Sequence, residues 1–159
     1  MLLADTGVGG LHDVTSVERP VVGLGSDCNA PSSPPDDVTA EVLRRMNADR
    51  TAAGVPALAW NPQLFCLAVE WSAVQGDANT LSHRDLTDVI RSPEFERYQT
   101  LGENLLRGPA TTDGARMHDE WMNSAPHRAN VMNPAYTSVA IAVHYVEGGK
   151  VYATENFAG

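Results

Sequence analysis

Apolar side chains recur every three or four residues after a Pro-rich stretch near residue 33, and this spacing predicts an amphipathic helix. Ser33 is predicted to cap the helix, with Pro34 at its first position and Asp36 at its third, as in a capping box. Gly54 is predicted to end it. The apolar positions of this helix are Val38, Val42, Leu43 and Met46.

The segment NPQLFCLAVEWSAVQG repeats the order of cap, proline and later glycine, which predicts a second helix. Asn61 is the predicted cap, Pro62 the first residue and Gly76 the end. The side chains predicted to be buried along this helix are Leu64, Leu67, Ala68 and Trp71.

The middle of the chain has a less regular pattern. Residues 77–100 are polar and mixed in character, which predicts a long connection. The segment LGENLLRG, residues 101–108, predicts either a short strand or a bend. A third helix is predicted over about residues 112–123, because Met117 and Trp121 lie four positions apart on one helical face.

Near the C-terminus the apolar spacing changes to strict alternation, which predicts an antiparallel hairpin. Gly148-Gly149 is its predicted two-residue turn, and Glu147 and Lys150 are predicted to form an ion pair across it. Both faces of the first strand are apolar, so helices should pack on both sides and the fold class should be α+β. The two faces are Val139, Ile141 and Val143 on one side and Ala140 and Ala142 on the other.

The composition indicates one globular domain of 159 residues, with residues 1–35 as an extended arm and residues 36–159 as the folded part. The net charge of −9 argues against a nucleic-acid partner and against docking on anionic lipid headgroups. No apolar run approaches the roughly 20 residues that cross a bilayer. The start lacks the basic region of an intact signal peptide, so the chain is either cytosolic or a mature secreted domain.

The two cysteines bear on that choice. Cys66 lies in an apolar helix, whereas Cys28 lies in a polar tail, where an exposed free thiol is a liability. A Cys28–Cys66 disulfide would join the tail to the second helix and would indicate an oxidising compartment. The alternative is two reduced thiols in a cytosolic protein.

Three residues stand out as candidates for chemistry: His83 in LSHRD, His127 in PHRAN and Glu103 in LGENLL. Both histidines sit at junctions between elements, and a carboxylate in an apolar stretch is costly to bury without partners. Two imidazoles and one carboxylate suit either a divalent ion or a general base with an orienting acid. Among the other histidines, His118 is predicted at the surface and His144 at the rim of the sheet.

Ser124 and His127 are also spaced like a nucleophile and its base. Pro126 interrupts the helix between them, so we interpret Ser124 as ending one helix or capping the next turn.

Several blocks together resemble the CAP superfamily (cysteine-rich secretory proteins, antigen 5, pathogenesis-related 1), and in particular its bacterial secreted SCP-like branch. The resemblance covers about residues 36–159. The blocks, in chain order, are MNADRTAAGVPALAWNPQL, LSHRD, LGENLL, WMNSAPHRANVMNPAYTSVAIAV and YATENFAG.

This resemblance implies a three-layer α–β–α sandwich with a small antiparallel sheet between helices, and secretion to the extracellular space. It also implies a cleft in which His83, Glu103 and His127 match the family's two histidines and the glutamate of its GEN block. Ser124 stands where many members have a second glutamate, and Glu120, one helical turn earlier, is the other candidate for that fourth position.

The function expected from this resemblance is binding without catalysis. The ligand would be a divalent metal, with zinc as one candidate, or a small or lipid molecule, and the protein is expected to be a monomer. In the metal version His83 and His127 ligate the ion and Glu103 holds a histidine tautomer or a bound water. The alternative is a secreted hydrolase in which His127 or Glu103 activates a water.

Overall fold

The computed structural model describes residues 3–5 and 28–159, so most of the predicted arm, residues 1–35, lies outside the described residues. The sheet is formed by strands β1 Leu3–Asp5, β2 Ala59–Trp60, β3 Leu101–Pro109, β4 Ser138–Val146 and β5 Lys150–Ala158. The helices are α1 Asp37–Ala52, α2 Pro62–Ala78, α3 Leu86–Ile90, α4 Gly114–Asn123 and α5 Ala125–Val131.

The five strands are arranged in the order β1-β3-β5-β4-β2. All neighbours are antiparallel except the short edge strand β2, which runs parallel to β4. The predicted antiparallel sheet is therefore confirmed for β3, β4 and β5, and the parallel edge strand is an addition that is too short, at two residues, to produce a sequence pattern. The segment LGENLLRG is a strand rather than a bend.

Helices cover both faces of the sheet, which confirms the three-layer α–β–α sandwich. Helices α1 and α4 contribute Met46, Met117 and Trp121 to one apolar core, where they meet Ile141 of β4. Helix α2 packs Leu64, Leu67 and neighbouring side chains against Ala140 on the opposite face. Burying apolar side chains on both faces is the main stabilising term for such a sandwich.

Asn61 caps α2 as predicted, since its side-chain oxygen accepts hydrogen bonds from the backbone N–H groups of Gln63 and Leu64. The helix continues past Gly76 to Ala78. For α1 the predicted start at Ser33 and Pro34 is wrong. The cap is Asp36, whose Oδ1 accepts the backbone N–H of Thr39 at 2.8 Å, so the helix begins at Asp37.

The hairpin turn contains three residues, Glu147, Gly148 and Gly149, rather than the predicted two. Both glycines have positive φ angles, 91° and 78°, a conformation that side chains with a Cβ rarely adopt. The predicted ion pair between Glu147 and Lys150 is also wrong. Within the part of the chain that the structure describes, the Lys150 ammonium instead donates to Asn79 Oδ1 at 2.7 Å.

Cys28 and Cys66 form the predicted disulfide, with Cα atoms 5.9 Å apart. The Trp60 indole also donates to the Pro31 carbonyl at 3.0 Å. The segment before α1 is thus held to the α2 face by one covalent and one polar contact. None of the helices in the described residues is long and apolar enough to cross a bilayer.

Arg50 is a fully buried cation near the end of α1 that serves as a donor for backbone carbonyls. Its guanidinium donates to Pro56 O at 2.8 Å and Val131 O at 2.6 Å. It also donates to Asn133 O at 3.0 Å and Tyr136 O at 3.2 Å. These bonds tie α1 to the end of α5 and to the segment that leads into β4.

Replacing Arg50 with Met should lower the free energy of unfolding by about 3 kcal/mol or more, because several buried carbonyls lose their donor. Urea unfolding followed by circular dichroism measures the loss. Arg44→Met on the exposed side of the same helix is the matched control and should leave the free energy of unfolding almost unchanged, because exposed ion pairs contribute little. Equal losses in the two variants would contradict this account of Arg50.

Candidate functional site

Glu103 on β3 is only 2% exposed and is the centre of the candidate site. Its Oε1 lies 2.9 Å from Nδ1 of His83, and the same oxygen accepts the backbone N–H of Arg84 at 3.1 Å. The structure therefore brings together two of the residues singled out from the sequence, which are 20 positions apart in the chain. Because a carboxylate accepts, Nδ1 is the nitrogen of His83 that carries a proton in this contact.

The second oxygen of Glu103 is held across the sheet. Asn156 on β5 lies directly opposite Glu103 in the β3–β5 pairing, and its amide donates to Oε2 at 3.3 Å. Glu103 thus has an imidazole, a backbone N–H and a side-chain amide around it. These donors are what allow a carboxylate to be buried at this position.

Helix α2 fixes the loop that carries His83. The Trp71 indole donates to Ser82 O at 2.9 Å, and the Ser82 N–H donates to Gln75 Oε1 at 3.1 Å. The Arg84 guanidinium lies 4.9 Å from the centre of the Trp71 ring. It also pairs with Glu70 Oε2 at 3.0 Å. Trp71 was predicted to be a core residue, but it is half-buried. It contacts Ser82 and Arg84, the residues on both sides of His83.

His127 is completely buried on α5, the short helix that begins at Ala125 and has Pro126 in its first turn. Its backbone carbonyl accepts from Asn104 Nδ2 at 3.1 Å, next to Glu103 on β3. Asn130, one turn later, donates to Glu103 O at 3.2 Å and to Asn104 Oδ1 at 2.8 Å. These three bonds attach α5 to the stretch of β3 that carries Glu103.

The two candidates for the fourth position differ in their surroundings. Ser124 lies between α4 and α5, where its backbone carbonyl accepts the Arg128 N–H at 2.8 Å. It occupies the cap position of α5, although its hydroxyl forms no capping hydrogen bond. Glu120 pairs with Arg116 on its own helix at 3.5 Å and is about one-third exposed.

The prediction that His118 lies at the surface is wrong. His118 is 3% exposed, and its Nε2 lies 2.8 Å from Asp49 Oδ2 on α1. The acidic neighbours in sequence, Asp119 and Glu120, pointed to a solvated helix face, but the close packing of α1 on α4 covers this ring. His144 is half-buried on β4, as predicted for a residue at the rim.

Glu155 is a buried acid that the sequence reasoning missed. It is fully buried on the face of the sheet opposite Glu103, and Asn104 Nδ2 donates to its Oε2 at 2.9 Å. Burial raises the pKa of Glu155 to about 8, against the lowering effect of the Asn104 amide. The sequence feature that could have identified Glu155 is the dipeptide Glu-Asn, which occurs both in GEN with Glu103 and in TEN with Glu155.

The arrangement provides imidazole and carboxylate groups but few metal ligands. In the described ranges, no group of three or more His, Cys, Asp and Glu side chains is placed to hold a metal ion. Any ion here would take its remaining ligands from water or from a bound molecule.

Residues 43–157 match the cysteine-rich secretory protein family, CAP. The chain belongs to this family. The chain is also 32% identical over 139 residues to YkwD, an uncharacterised protein of Bacillus subtilis. That alignment covers 82% of this chain and 52% of YkwD, so the chain spans about half the length of this curated relative.

Solved structures share the CAP fold. An extracellular SCP-domain protein of Bacillus anthracis is 26% identical with a TM-score of 0.60, over 76% of this chain and 39% of that one. An outer surface protein of Borrelia burgdorferi is 14% identical with a TM-score of 0.70, over 81% of this chain and 97% of that one. At 14% identity the second comparison shows the fold alone.

Glu155→Gln should stabilise this CAP domain increasingly as pH rises from about 5 to about 8, and by a constant amount above that. In the unfolded wild type this carboxyl ionises near its ordinary pKa of 4.5, whereas in the folded protein it keeps its proton to about 8. Its contribution to stability is therefore complete at low pH and is lost as pH rises between those values. The gain from Gln should reach a few kcal/mol, since each pKa unit corresponds to about 1.4 kcal/mol.

Urea unfolding of both proteins at several pH values from 5 to 9.5 measures this difference. Glu96→Gln, at an exposed position, controls for the loss of one negative charge. Parallel stability curves for the wild type and Glu155→Gln would show that Glu155 is not a buried neutral acid.

Proposed function

We propose that this CAP domain binds a divalent cation, with zinc as the probe ion, through the imidazoles of His83 and His127. The observation that carries the proposal is the 2.9 Å contact between the buried Glu103 carboxylate and His83 Nδ1. A carboxylate that receives one ring N–H of a histidine fixes the tautomer and makes the other nitrogen a better metal ligand. Ligation by His83 would then be through Nε2.

Glu103 is better suited to orienting His83 than to reacting with water. Its oxygens accept from His83, the Arg84 N–H and Asn156, and only 2% of the residue is exposed. A general base must be within reach of the proton that it removes. A carboxylate surrounded by three donors instead holds its neighbours in place, so these contacts favour binding over the hydrolase alternative.

One distant structure adds support for zinc as the probe. NaASP2, solved with Zn²⁺, is 10% identical to this chain with a TM-score of 0.53, over 79% of this chain and 83% of that one. The comparison shows the fold alone, and the ion belongs to that protein. It makes zinc a reasonable first cation to test against His83 and His127.

A lipid ligand is the other version of the binding proposal. A cavity of about 300 Å³ lies between the starts of α1 and α4, but it gives no argument for or against a lipid. Carboxylates in its lining have partners, since Glu41 pairs with Arg44 and Arg45, and Asp113 caps α4. The contact between Glu103 and His83 is the observation that favours the metal version.

We also propose that the domain works outside the cytoplasm. The Cys28–Cys66 disulfide is expected to persist in an oxidising compartment. The similar proteins of Bacillus anthracis and Borrelia burgdorferi are described as an extracellular and an outer surface protein.

Zinc titration by calorimetry tests the site. The wild type should bind zinc with an affinity that falls as the solution is acidified towards about pH 5, because only neutral imidazole ligates a metal. His83→Ala/His127→Ala should abolish the binding. His144→Ala is the control variant. His144 lies on β4 opposite Tyr152, which is four residues from Asn156 along β5, so this variant should bind zinc like the wild type. Equal affinity in the double variant and the wild type would refute the site.

Glu103→Gln keeps the size of the side chain and removes its negative charge, so it tests the orienting role of the carboxylate. The amide oxygen of Gln can still accept the Arg84 N–H, but the negative charge that favours the Nδ1–H form of His83 is lost. Zinc affinity should fall by about 10–100-fold, the usual effect of removing a partner of a ligating histidine. Circular dichroism should confirm that the fold is kept, and an unchanged affinity in the folded variant would rule out this role for Glu103.

A further inference from the structure

The proposed metal site leaves one buried carboxyl group without a role. Glu155 is fully buried on the opposite face of the sheet, and its one described hydrogen bond runs from Asn104 Nδ2 to Oε2. Its other oxygen, Oε1, has no hydrogen-bond partner among the described residues. Burying a carboxyl group that has one amide as its hydrogen-bond partner costs free energy of folding, so we expect this residue to have a specific function.

Asn104 connects this acid to α5. One amide nitrogen, Nδ2, donates both to Glu155 and to the backbone carbonyl of His127 at 3.1 Å. The amide oxygen accepts from Asn130 at 2.8 Å. Glu155 as acceptor and Asn130 as donor therefore both require the same orientation of the Asn104 amide, and that orientation directs its second N–H towards α5.

We propose that Glu155 is a positioning residue for His127, acting through Asn104. Glu155 fixes the direction of the Asn104 amide, and the amide fixes the backbone of α5 at the position of the histidine. The proposal that Glu155 positions α5 does not depend on the proposed function. Only the expected effect on metal binding rests on that function.

Glu155 performs this role as a neutral acid. Its partners across the sheet are Asn104 on β3 and Ile141 on β4, its same-face neighbours on β5 are Ala153 and Phe157, and none of these is charged. An ionised carboxylate would have to be desolvated there with one amide as compensation. The raised pKa of Glu155, about 8, is consistent with this reasoning. Gln should therefore replace Glu155, in contrast to Glu103.

Hydrogen exchange measured by mass spectrometry tests the placement of α5. In Glu155→Leu the amides of α5 should exchange about tenfold faster relative to those of α1, the effect of losing one buried hydrogen bond. Glu155→Gln should keep the wild-type ratio. Thr154→Val is the matched control, because it removes a 2.8 Å bond to Ser72 on the other face of β5.

Thr154→Val should lower overall stability without changing the ratio of α5 to α1 exchange. The same ratio in Glu155→Leu, Thr154→Val and the wild type would overturn the proposal, since Glu155 would then contribute only general stability. If Glu155→Leu does not fold, Asn104→Ala removes the link from its other end, and an unchanged ratio there has the same meaning.

Zinc titration of the same variants tests the consequence for His127. Glu155→Leu should bind zinc at least about fivefold more weakly than the wild type, whereas Glu155→Gln and Thr154→Val should bind equally well. Full affinity in a variant with a loosened α5 would overturn the link to His127. Absence of zinc binding in the wild type would refute the proposed function, while the exchange ratio would still decide the placement of α5.

Discussion

The register between β3 and β5 is the constraint on which both halves of the site depend. It sets Glu103 opposite Asn156 and Asn104 opposite Glu155, so that each acid meets an amide on its own face of the sheet. A shift of one residue in β3 would move every one of its side chains to the other face. It would place Glu103 in the core of α1 and α4 and would remove the link to α5. One strand pairing therefore fixes the position of both the loop that carries His83 and the helix that carries His127.

Much of this fold could be predicted because its local signals agree with its packing. Asn61 and Pro62 start α2 through local interactions alone. The Asn61 side chain accepts free backbone N–H groups of the first turn, and the fixed φ of proline suits the first helical position. The alternation in β4 predicted helices on both faces, and α1 and α2 do pack there. The isolation of Glu103 in an apolar stretch pointed to a buried carboxylate with partners, and His83 and Asn156 are those partners.

What could not be predicted depends on contacts between distant segments. His118 is buried because α1 approaches α4, and nothing in the sequence near it encodes that approach. Glu155 was missed because its role depends on a hydrogen bond to Asn104, which is 51 positions away in the chain. The sequence around an acid within an apolar strand does not show which residue of the neighbouring strand lies opposite it.

We propose that Glu103 holds His83 as the Nδ1–H tautomer, with Nε2 as the nitrogen that would ligate a cation. Nitrogen-15 NMR of the histidine side chains at neutral pH tests it most directly, because the two tautomers give distinct nitrogen shifts. We expect a protonated Nδ1 and an unprotonated Nε2 for His83, with the Nε2 signal moving when zinc is added. A protonated Nε2 that does not respond to zinc would contradict it.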